Sequence, residues 1–591
     1  MIIDDAGRRA VGAAFLDQAG RHADAMALTL YRGSNETEHP ALTYAELARR
    51  AGLRADALAA RLAPGERVLI SLPTGTEFVE LYLACMLAGL VAVPTPPLAG
   101  SPVAAERVAV IVADCTPALV YATGADRDAV VERLRSHGLG HVPVEAPGDA
   151  GTGDPAARPA RNVSPDMLAV LQYSSGSTGS PKGVMLDHGN VLANIAALRR
   201  FAGLGAPGDV FGNWMPLHHD FSLFGQLTVA LLHGVPSVLM SPGEFVRRPV
   251  EWLRMLDRFG ATVTAGPNFA FGLCLRLIKD EHLDGLDLSA MSSFINGSEP
   301  IHAPTMAAFA KRFARVGLRP EIFTPGYGMA ETAVFVSSCP RDRQPAVLVV
   351  DPREAETAGH PRLVRSTGGT GKEVVGVGAP GAHELRVVDP QTRAALPDTA
   401  IGEIWLRGAA IGRGYWDKPE LSTEIFQARL DGEPDDAPGW LRTGDLGAVV
   451  DGELFITGRT KEMVIVRGRN LFPHDLEQHA RLANAALDGF VGAAFGVDAP
   501  DERIVVIHEV DPRVPAGDLP GVANDVLRHL TTSFGVPVRN VVLVRRGTVR
   551  RTTSGKIQRR AMREQFLAGQ VAALHSVLDP QVQRLIAVEP R

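Results

Sequence analysis

Hydrophobic and polar residues alternate along this chain in two distinct registers. "ERVLISL" (66–72) is a short β-branched run that predicts a strand, "PTGTE" predicts a turn, the apolar stretch from Phe78 predicts a buried helix, and "LVAVP" predicts the next strand. Strand, helix and strand in this order form a βαβ unit, which favours a parallel sheet. "VIVAD", "ALVYAT", "AVLQYSS" and "PSVLM" repeat the theme of β-branched strands up to Met240. Around Gly376 the register changes. "HELRVVDP", "GEIWLRG", "GAVVDGELFITGR" and "EMVIVRG" alternate apolar and polar residues between Gly and Asp turns. They predict a smaller antiparallel or barrel-like sheet.

Beyond Arg459, "RIVVIHEV", "VANDVLRHLTTSF" and "NVVLVRR" predict a compact α+β segment, of about 130 residues and so of ordinary domain size. The expected fold class is therefore α/β. A large domain, residues 1–460, carries parallel sheets flanked by helices plus the small antiparallel sheet; a small α+β domain, residues 461–591, follows. No repeat period is present. The polar stretches 145–160 and 351–373 read as a surface linker and a long insertion.

Composition narrows the function classes. The 591 residues are 46% hydrophobic with a net charge of −6. Such a chain builds cores and does not present the basic field of a general nucleic-acid or anionic-membrane binder. Cys85, Cys115, Cys274 and Cys339 lie far apart with no C-x-x-C pair, which argues against a disulfide framework or structural zinc and fits a reducing cytoplasm. The first twenty residues are acidic at once and lack a long apolar core, unlike a signal peptide. The most apolar stretch, 78–93, contains Glu80 and stops at Pro94, too short to span a bilayer.

Candidate chemistry begins at "QYSSGSTGSPKGV" (172–184), which follows a predicted strand and precedes "GNVLANIAALRR", a predicted helix. Strand, glycine loop and helix allow backbone N–H groups to wrap a phosphate, although a polar turn would look similar. The Walker spacing fails, because Pro181 precedes Lys182 and Gly183 follows it. "GVGAPG" (376–381) matches G-x-G-x-x-G literally, yet it contains Pro380 and precedes a strand, so the dinucleotide-binding context is missing. "PLHHDFSLFG" clusters His218, His219 and Asp220. Adjacent histidines rarely face one point, which leaves a positioning or gating role for His219 or a satisfied polar loop. "TPGYGMAET" and "LRTGDLG" set Glu331 and Asp445 on glycine-flanked turns. Glu suits Mg²⁺, and Asp suits a ribose diol. "RTTSGKIQRR" places Lys556 after a glycine in a basic stretch, where a solvated loop lysine would also fit.

In this order, "YSSGSTGSPKG", "GYGMAET", "LRTGDLG", "GRTKEMVIVRG" and "SGK" resemble the adenylate-forming superfamily of acyl-CoA synthetases, luciferases and peptide-synthetase adenylation domains, over nearly the whole chain. "LQYSSGSTG", "AGPNFAFGLCLR", "NGSEP", "RGRNLFPHDLE" and the insertion near 351–373 are most similar to the fatty acyl-AMP ligases. One stretch departs from that family: an aromatic usually precedes His219, and Met-Gly usually follows Asp220.

The resemblance implies ATP and Mg²⁺ as cofactors and a fatty or related carboxylic acid as substrate. It implies that Ser174, Ser175, Gly176, Ser177, Thr178, Gly179 and Lys182 hold the β- and γ-phosphates, with Thr178 and Glu331 placing the metal. Tyr327, Gly328 and Met329, with Gly297, Ser298 and Glu299, would flank the adenine; Asp445 would bind the ribose and Arg459 the ribose or phosphate. Lys556, Glu331 and His219 form the implied catalytic set, Lys461 the implied hinge, and Phe269 and Phe271 candidate acyl-pocket residues. The implied acceptor of the acyl group is the phosphopantetheine thiol of an acyl carrier protein on a separate chain, because no "DSL"-type attachment stretch occurs near the C-terminus. An acyl-CoA ligase of the same fold and a silent adenylate-binding protein are the alternatives.

Overall fold

The computed structural model describes residues 9–98, 102–149, 162–174, 181–341, 343–350, 362–364, 372–466, 469–499, 501–552 and 555–586. The chain forms two compact units. The larger gathers most residues up to Ile456, and the smaller takes Gly444–Leu446 and the residues from Thr457 onward.

In the larger unit, strand Arg67–Ser71, helix Thr76–Ala88 and strand Val91–Pro94 form the expected βαβ unit, with parallel pairing of Arg67 to Val91. Every helix residue from Phe78 to Ala88 is buried, which is why the stretch is apolar all round. Glu80 is tolerated there because Arg54 reaches it at 2.6 Å. Gly89 ends the helix at φ +68°, a left-handed cap that glycine adopts without a Cβ clash.

A six-stranded sheet orders Val144–Glu145, Leu119–Ala122, Arg67–Ser71, Val91–Pro94, Leu168–Ser174 and Lys182–Asp187. An eight-stranded sheet includes the parallel strands Phe211–Asn213, Val263–Gly266, Ser293–Asn296 and Phe323–Tyr327. A four-stranded sheet joins Glu384–Val388, Gly402–Arg407, Leu441–Val450 and Glu453–Arg459.

Three sequence expectations are corrected. "VIVAD" is not a strand but the C-terminal part of helix Pro102–Cys115. Ala105, Val108, Ala109, Ile111, Val112 and Cys115 are all buried at helical spacing, so packing against the sheet overrides the β-branched run. The glycine-rich run does not lead into a helix. It joins two antiparallel strands, Leu168–Ser174 and Lys182–Asp187, and helix His188–Phe201 starts only after the second. The apolar run Val184–Leu186 in "KGVMLD", a stretch that buries Gly183, Val184, Leu186 and Asp187, is the strand signal that the glycine-loop reading passed over. Finally, "EMVIVRG" stays outside the four-stranded sheet: Val464–Val466 pairs with Arg469–Leu471 as a separate hairpin.

The insertion near 351–373 is flanked by Val347–Val350 and Lys372–Val375, which pair antiparallel. Most of its own residues lie outside the described ones.

The smaller unit is a four-stranded sheet ordered Gly492–Ala499, Asp501–Glu509, Asn540–Val544 and Ala573–Val577. Its strands alternate between two cores. Ala494, Val506 and Leu543 pack with Leu476, Val526 and Leu530 on one face. Phe495, Ile507 and Val544 pack with Met562 and Phe566 on the other. This is the α+β arrangement that the alternation predicts.

His188 gives the larger unit a pH dependence. It is fully buried, its Nδ1 accepts the Val11 N–H at 3.3 Å, and burial pushes its imidazole down to about 4. The folded state therefore holds it neutral, while the unfolded chain takes up a proton below the ordinary value of 6.5. Stability is present above pH 6.5 and is lost as pH falls towards 4, by about 3 kcal/mol for this residue. Thermal midpoints measured from pH 7 to pH 4 should fall through this window. His188→Gln should flatten the slope; an unchanged slope would remove His188 as its source.

Candidate active site

Parallel strands deliver their C-terminal residues to one edge, where α/β sheets bind ligands. Here Val263–Gly266, Ser293–Asn296 and Phe323–Tyr327 run in parallel and are followed by the segments at 268, 297–299 and 328–331. A cavity of about 50 Å³ opens among Asp220, Phe221, Gly297, Ser298, Tyr327 and Gly328, with Leu198, Leu204, Val334 and Phe335 as apolar walls. Two glycines are needed on its rim. A Cβ at Gly328 would lie 1.5 Å from the Val334 carbonyl oxygen, and one at Gly297 would lie 2.9 Å from that of Gly326. Ser298 takes φ +72°, a left-handed conformation that costs energy for a residue with a Cβ and that recurs at ligand sites.

Glu299 turns elsewhere. Its Oε1 accepts the N–H of Phe269 in the first turn of helix Asn268–Leu277, a favourable place for a carboxylate. Phe269 and Phe271 do not line the cavity. Phe269 packs edge-on to Trp214, and Phe271 sits in a buried aromatic cluster with Trp252, Phe294 and Phe309. Phe221 and Phe335 are the aromatic wall instead.

Met329 precedes the short turn Ala330–Thr332, and its carbonyl accepts the Thr332 hydroxyl at 3.0 Å. Glu331 on that turn accepts a 2.7 Å hydrogen bond from the Tyr415 hydroxyl. The Lys182 ammonium lies 5.1 Å from the centroid of the same ring, within cation–π range. Backbone bonds fix this arrangement: Met185 N–H donates to Gly414, Arg413 N–H to Met185, Trp416 N–H to Gly183, and Gly412 N–H to Glu331. Tyr415 thus brings Lys182 and Glu331 together, and sequence reasoning missed it. Its signal is the glycine-flanked aromatic in "GRGYWDKPE". Ser174 pairs with Lys182 across the hairpin, while Ser175, Gly176, Ser177, Thr178 and Gly179 lie outside the described residues. Among the described residues, no group of three or more His, Cys, Asp or Glu side chains is arranged to hold a metal ion.

His219 and Asp220 cap a distorted helix. Asp220 Oδ1 lies 2.7 Å from His219 Nδ1 and accepts the Phe221 N–H at 2.8 Å. Both contacts are shorter than the 3.3 Å from Phe221 N to His219 Nδ1, so the proton belongs on that nitrogen. The next six residues, Leu223–Thr228, form a π-helix, a feature common at functional sites. It sets Gly225 on the cavity wall. His218 plays a different part: Gln172 Nε2 donates to its carbonyl at 2.9 Å, and burial, then the neighbouring His219 and Arg107, push its imidazole down to about 3.

In the smaller unit, Asp445 is 3% exposed and meets Arg459 Nε at 2.7 Å. Lys556 follows Gly555, at φ +86°, in a tight turn. Its N–H donates to the Thr552 hydroxyl, and its carbonyl accepts the Thr552 N–H at 2.8 Å. The turn feeds helix Arg559–Leu567, whose first residue is anchored twice. Arg559 grips Glu477 with two bonds of 2.7 and 2.8 Å and reaches Glu462, beside Lys461, at 2.6 Å. Burial raises the Glu477 carboxyl above the usual range; burial works against the Arg559 guanidinium, but the two carboxylates hold it charged. Arg559→Met leaves Glu477 buried without its partner and should cost about 3–5 kcal/mol. Adding Glu477→Leu should recover much of that loss in denaturant unfolding. Equal losses in the single and double variants would show that the ion pair is not the cause.

Comparison with known proteins follows this geometry. The pattern of the AMP-binding enzyme family matches residues 15–416. The long-chain-fatty-acid–AMP ligase FadD26 of Mycobacterium marinum is 36% identical, over 89% of this chain and 91% of its own length. A putative fatty-acid–CoA ligase, fadD21 of Mycobacterium leprae, is 35% identical over 90% and 93%. A solved structure from work on the fatty acyl-adenylate ligases of E. coli and L. pneumophila superposes with a TM-score of 0.84 at 28% identity, covering 95% of this chain and 98% of the other. The L. pneumophila fatty acyl-adenylate ligase in complex with acyl adenylate and pyrophosphate superposes at 0.73, with 26% identity over 96% and 97%. The mixed α/β fold is shared with these solved structures, and the chain belongs to the family of AMP-binding enzymes.

Proposed function

We propose that this chain joins a fatty carboxylic acid to ATP as an acyl adenylate, releasing pyrophosphate, and then passes the acyl group to the phosphopantetheine thiol of an acyl carrier protein. Two observations carry the reading together: the Glu331–Tyr415–Lys182 assembly, and an apolar cavity rimmed by Gly297 and Gly328, the second of which precedes Glu331 closely in sequence. The names of the relatives, fatty-acid–AMP ligases among them, support the first of the two steps.

A fatty acid is already ionised at neutral pH, since carboxyl groups titrate near 4. It needs no general base, so no nucleophile triad is required. The barrier is the approach of two anions, and catalysis rests on neutralising and aligning them. A carboxylate oxygen bonds to the α-phosphorus, the bond from that phosphorus to the oxygen bridging to the β-phosphate breaks, and pyrophosphate leaves with the electron pair. In this scheme Lys182 faces the outgoing phosphates, Tyr327, Gly297 and Ser298 bound the adenine, Asp445 and Arg459 serve the ribose, and Lys556 bridges the carboxylate and the α-phosphate. His219, its proton held towards Asp220, orients the entry to the cavity. Glu331 would supply a carboxylate to hold Mg²⁺ alongside the phosphates, and that ion would offset phosphate charge.

In the second step the thiol sulfur attacks the acyl carbon, AMP leaves, and the thiol proton passes to solvent. Coenzyme A is the second reading for the acceptor, favoured by relatives named as fatty-acid–CoA ligases. No helix among the described residues is long and apolar enough to cross a membrane. The four cysteines are buried and free, which suits the reducing cytoplasm we assign.

A panel of carboxylic acids with ATP, each product weighed by mass spectrometry, tests both steps, because acyl-AMP, acyl-CoA and acyl-carrier products differ in mass. Lys556→Ala should abolish acyl-AMP while leaving thermal unfolding unchanged; near-normal adenylation would remove Lys556 from the mechanism. Tyr415→Phe deletes one hydrogen bond to a carboxylate, about 1.5–3 kcal/mol, and should slow adenylation about 10- to 100-fold. A rate within twofold of the parent would contradict the role given to Tyr415.

A further inference from the structure

Arg107 sits on helix Pro102–Cys115, the crossover between parallel strands Val91–Pro94 and Leu119–Ala122. Such a crossover helix runs antiparallel to its strands, so its N-terminal half lies towards their carboxyl edge. Ligands bind at that edge.

The carboxylates of this helix are taken elsewhere. Glu106 meets Arg133 at 3.4 Å and His137 at 3.0 Å. Asp114 holds the Tyr173 hydroxyl and the Lys418 ammonium, both at 2.5 Å. Arg107 has no carboxylate partner among the described residues. Its Nε is sealed from solvent and bonds to nothing, and burial lowers its guanidinium from the ordinary arginine range with no opposing charge. It lies close enough to act on the imidazole of His218, which is kept neutral. Gln172, 2% exposed, bonds the His218 carbonyl through Nε2, while its buried Oε1 has no partner. Arg107 as a whole keeps partial exposure, but its sealed and unbonded Nε is a donor that costs free energy unless something else satisfies it. Its planar fork fits phosphate and carboxylate oxygens.

We propose that Arg107 is a binding contact for an oxyanion, phosphate or carboxylate, of one of the reactants, taken up beside Gln172 and His218 at the carboxyl edge of the six-stranded sheet. The identity of those reactants rests on the function proposed above. The oxyanion belongs to the triphosphate of ATP, to the acid, or to the phosphate of the phosphopantetheine acceptor, and the test separates them.

Thermal midpoints of the full chain and of Arg107→Met and Arg107→Lys are measured alone and with ATP, a fatty acid or 4′-phosphopantetheine. Arg107→Met removes no internal partner, so the ligand-free midpoint should stay level or rise. The upward shift given by one of the three ligands should vanish, Arg107→Lys should keep part of it, and the KM for that reactant should rise about tenfold or more. Equal shifts in parent and Arg107→Met for all three ligands, no shift in the parent with any, or a lowered ligand-free midpoint with unchanged shifts would overturn the proposal. The shifts do not depend on turnover. A parent that forms no acyl-AMP would therefore defeat the proposed reaction, while the midpoints still decide Arg107.

Discussion

The hydroxyl of Tyr415, 2.7 Å from Glu331, fixes the charged part of this site. Three segments far apart in sequence meet at that ring. The hairpin after the glycine-rich run brings Lys182 over its face, the turn after strand Phe323–Tyr327 brings Glu331 to its edge, and the 412–416 segment carries the tyrosine. The ring carries the ammonium over its face and donates its hydroxyl to the carboxylate.

The remaining geometry follows from keeping backbone close to a ligand. Gly328 and Gly297 have no room for a Cβ, and Ser298 accepts a left-handed backbone. These three residues line the same cavity as Phe221 and Phe335, so the tight backbone and the aromatic wall face one space. Buried histidines such as His188 and His218 are held neutral.

Much of this was legible in the sequence, and the failures have physical causes. The βαβ unit of 67–94 was readable because burial on all sides makes its helix continuously apolar. "VIVAD" misled because local β propensity yields to a helical face packed on a sheet. The glycine-rich run announced itself by composition, but its structural context was misjudged: a strand of only six residues, Lys182–Asp187, intervenes before the helix. Glu331, Lys182 and Gly328 stood out as motif residues. Tyr415 did not, since its importance lies in contacts with residues 84 positions away and more. Arg107 was equally silent, because the absence of a partner is a property of packing.

The most direct test of the central claim is the fate of a labelled oxygen. A fatty acid carrying ¹⁸O in both carboxylate positions is turned over with ATP and an acyl acceptor, and the phosphorus products are weighed. Attack on the α-phosphorus predicts AMP bearing one ¹⁸O and pyrophosphate bearing none. ADP with ¹⁸O in orthophosphate, or unlabelled AMP, would contradict it.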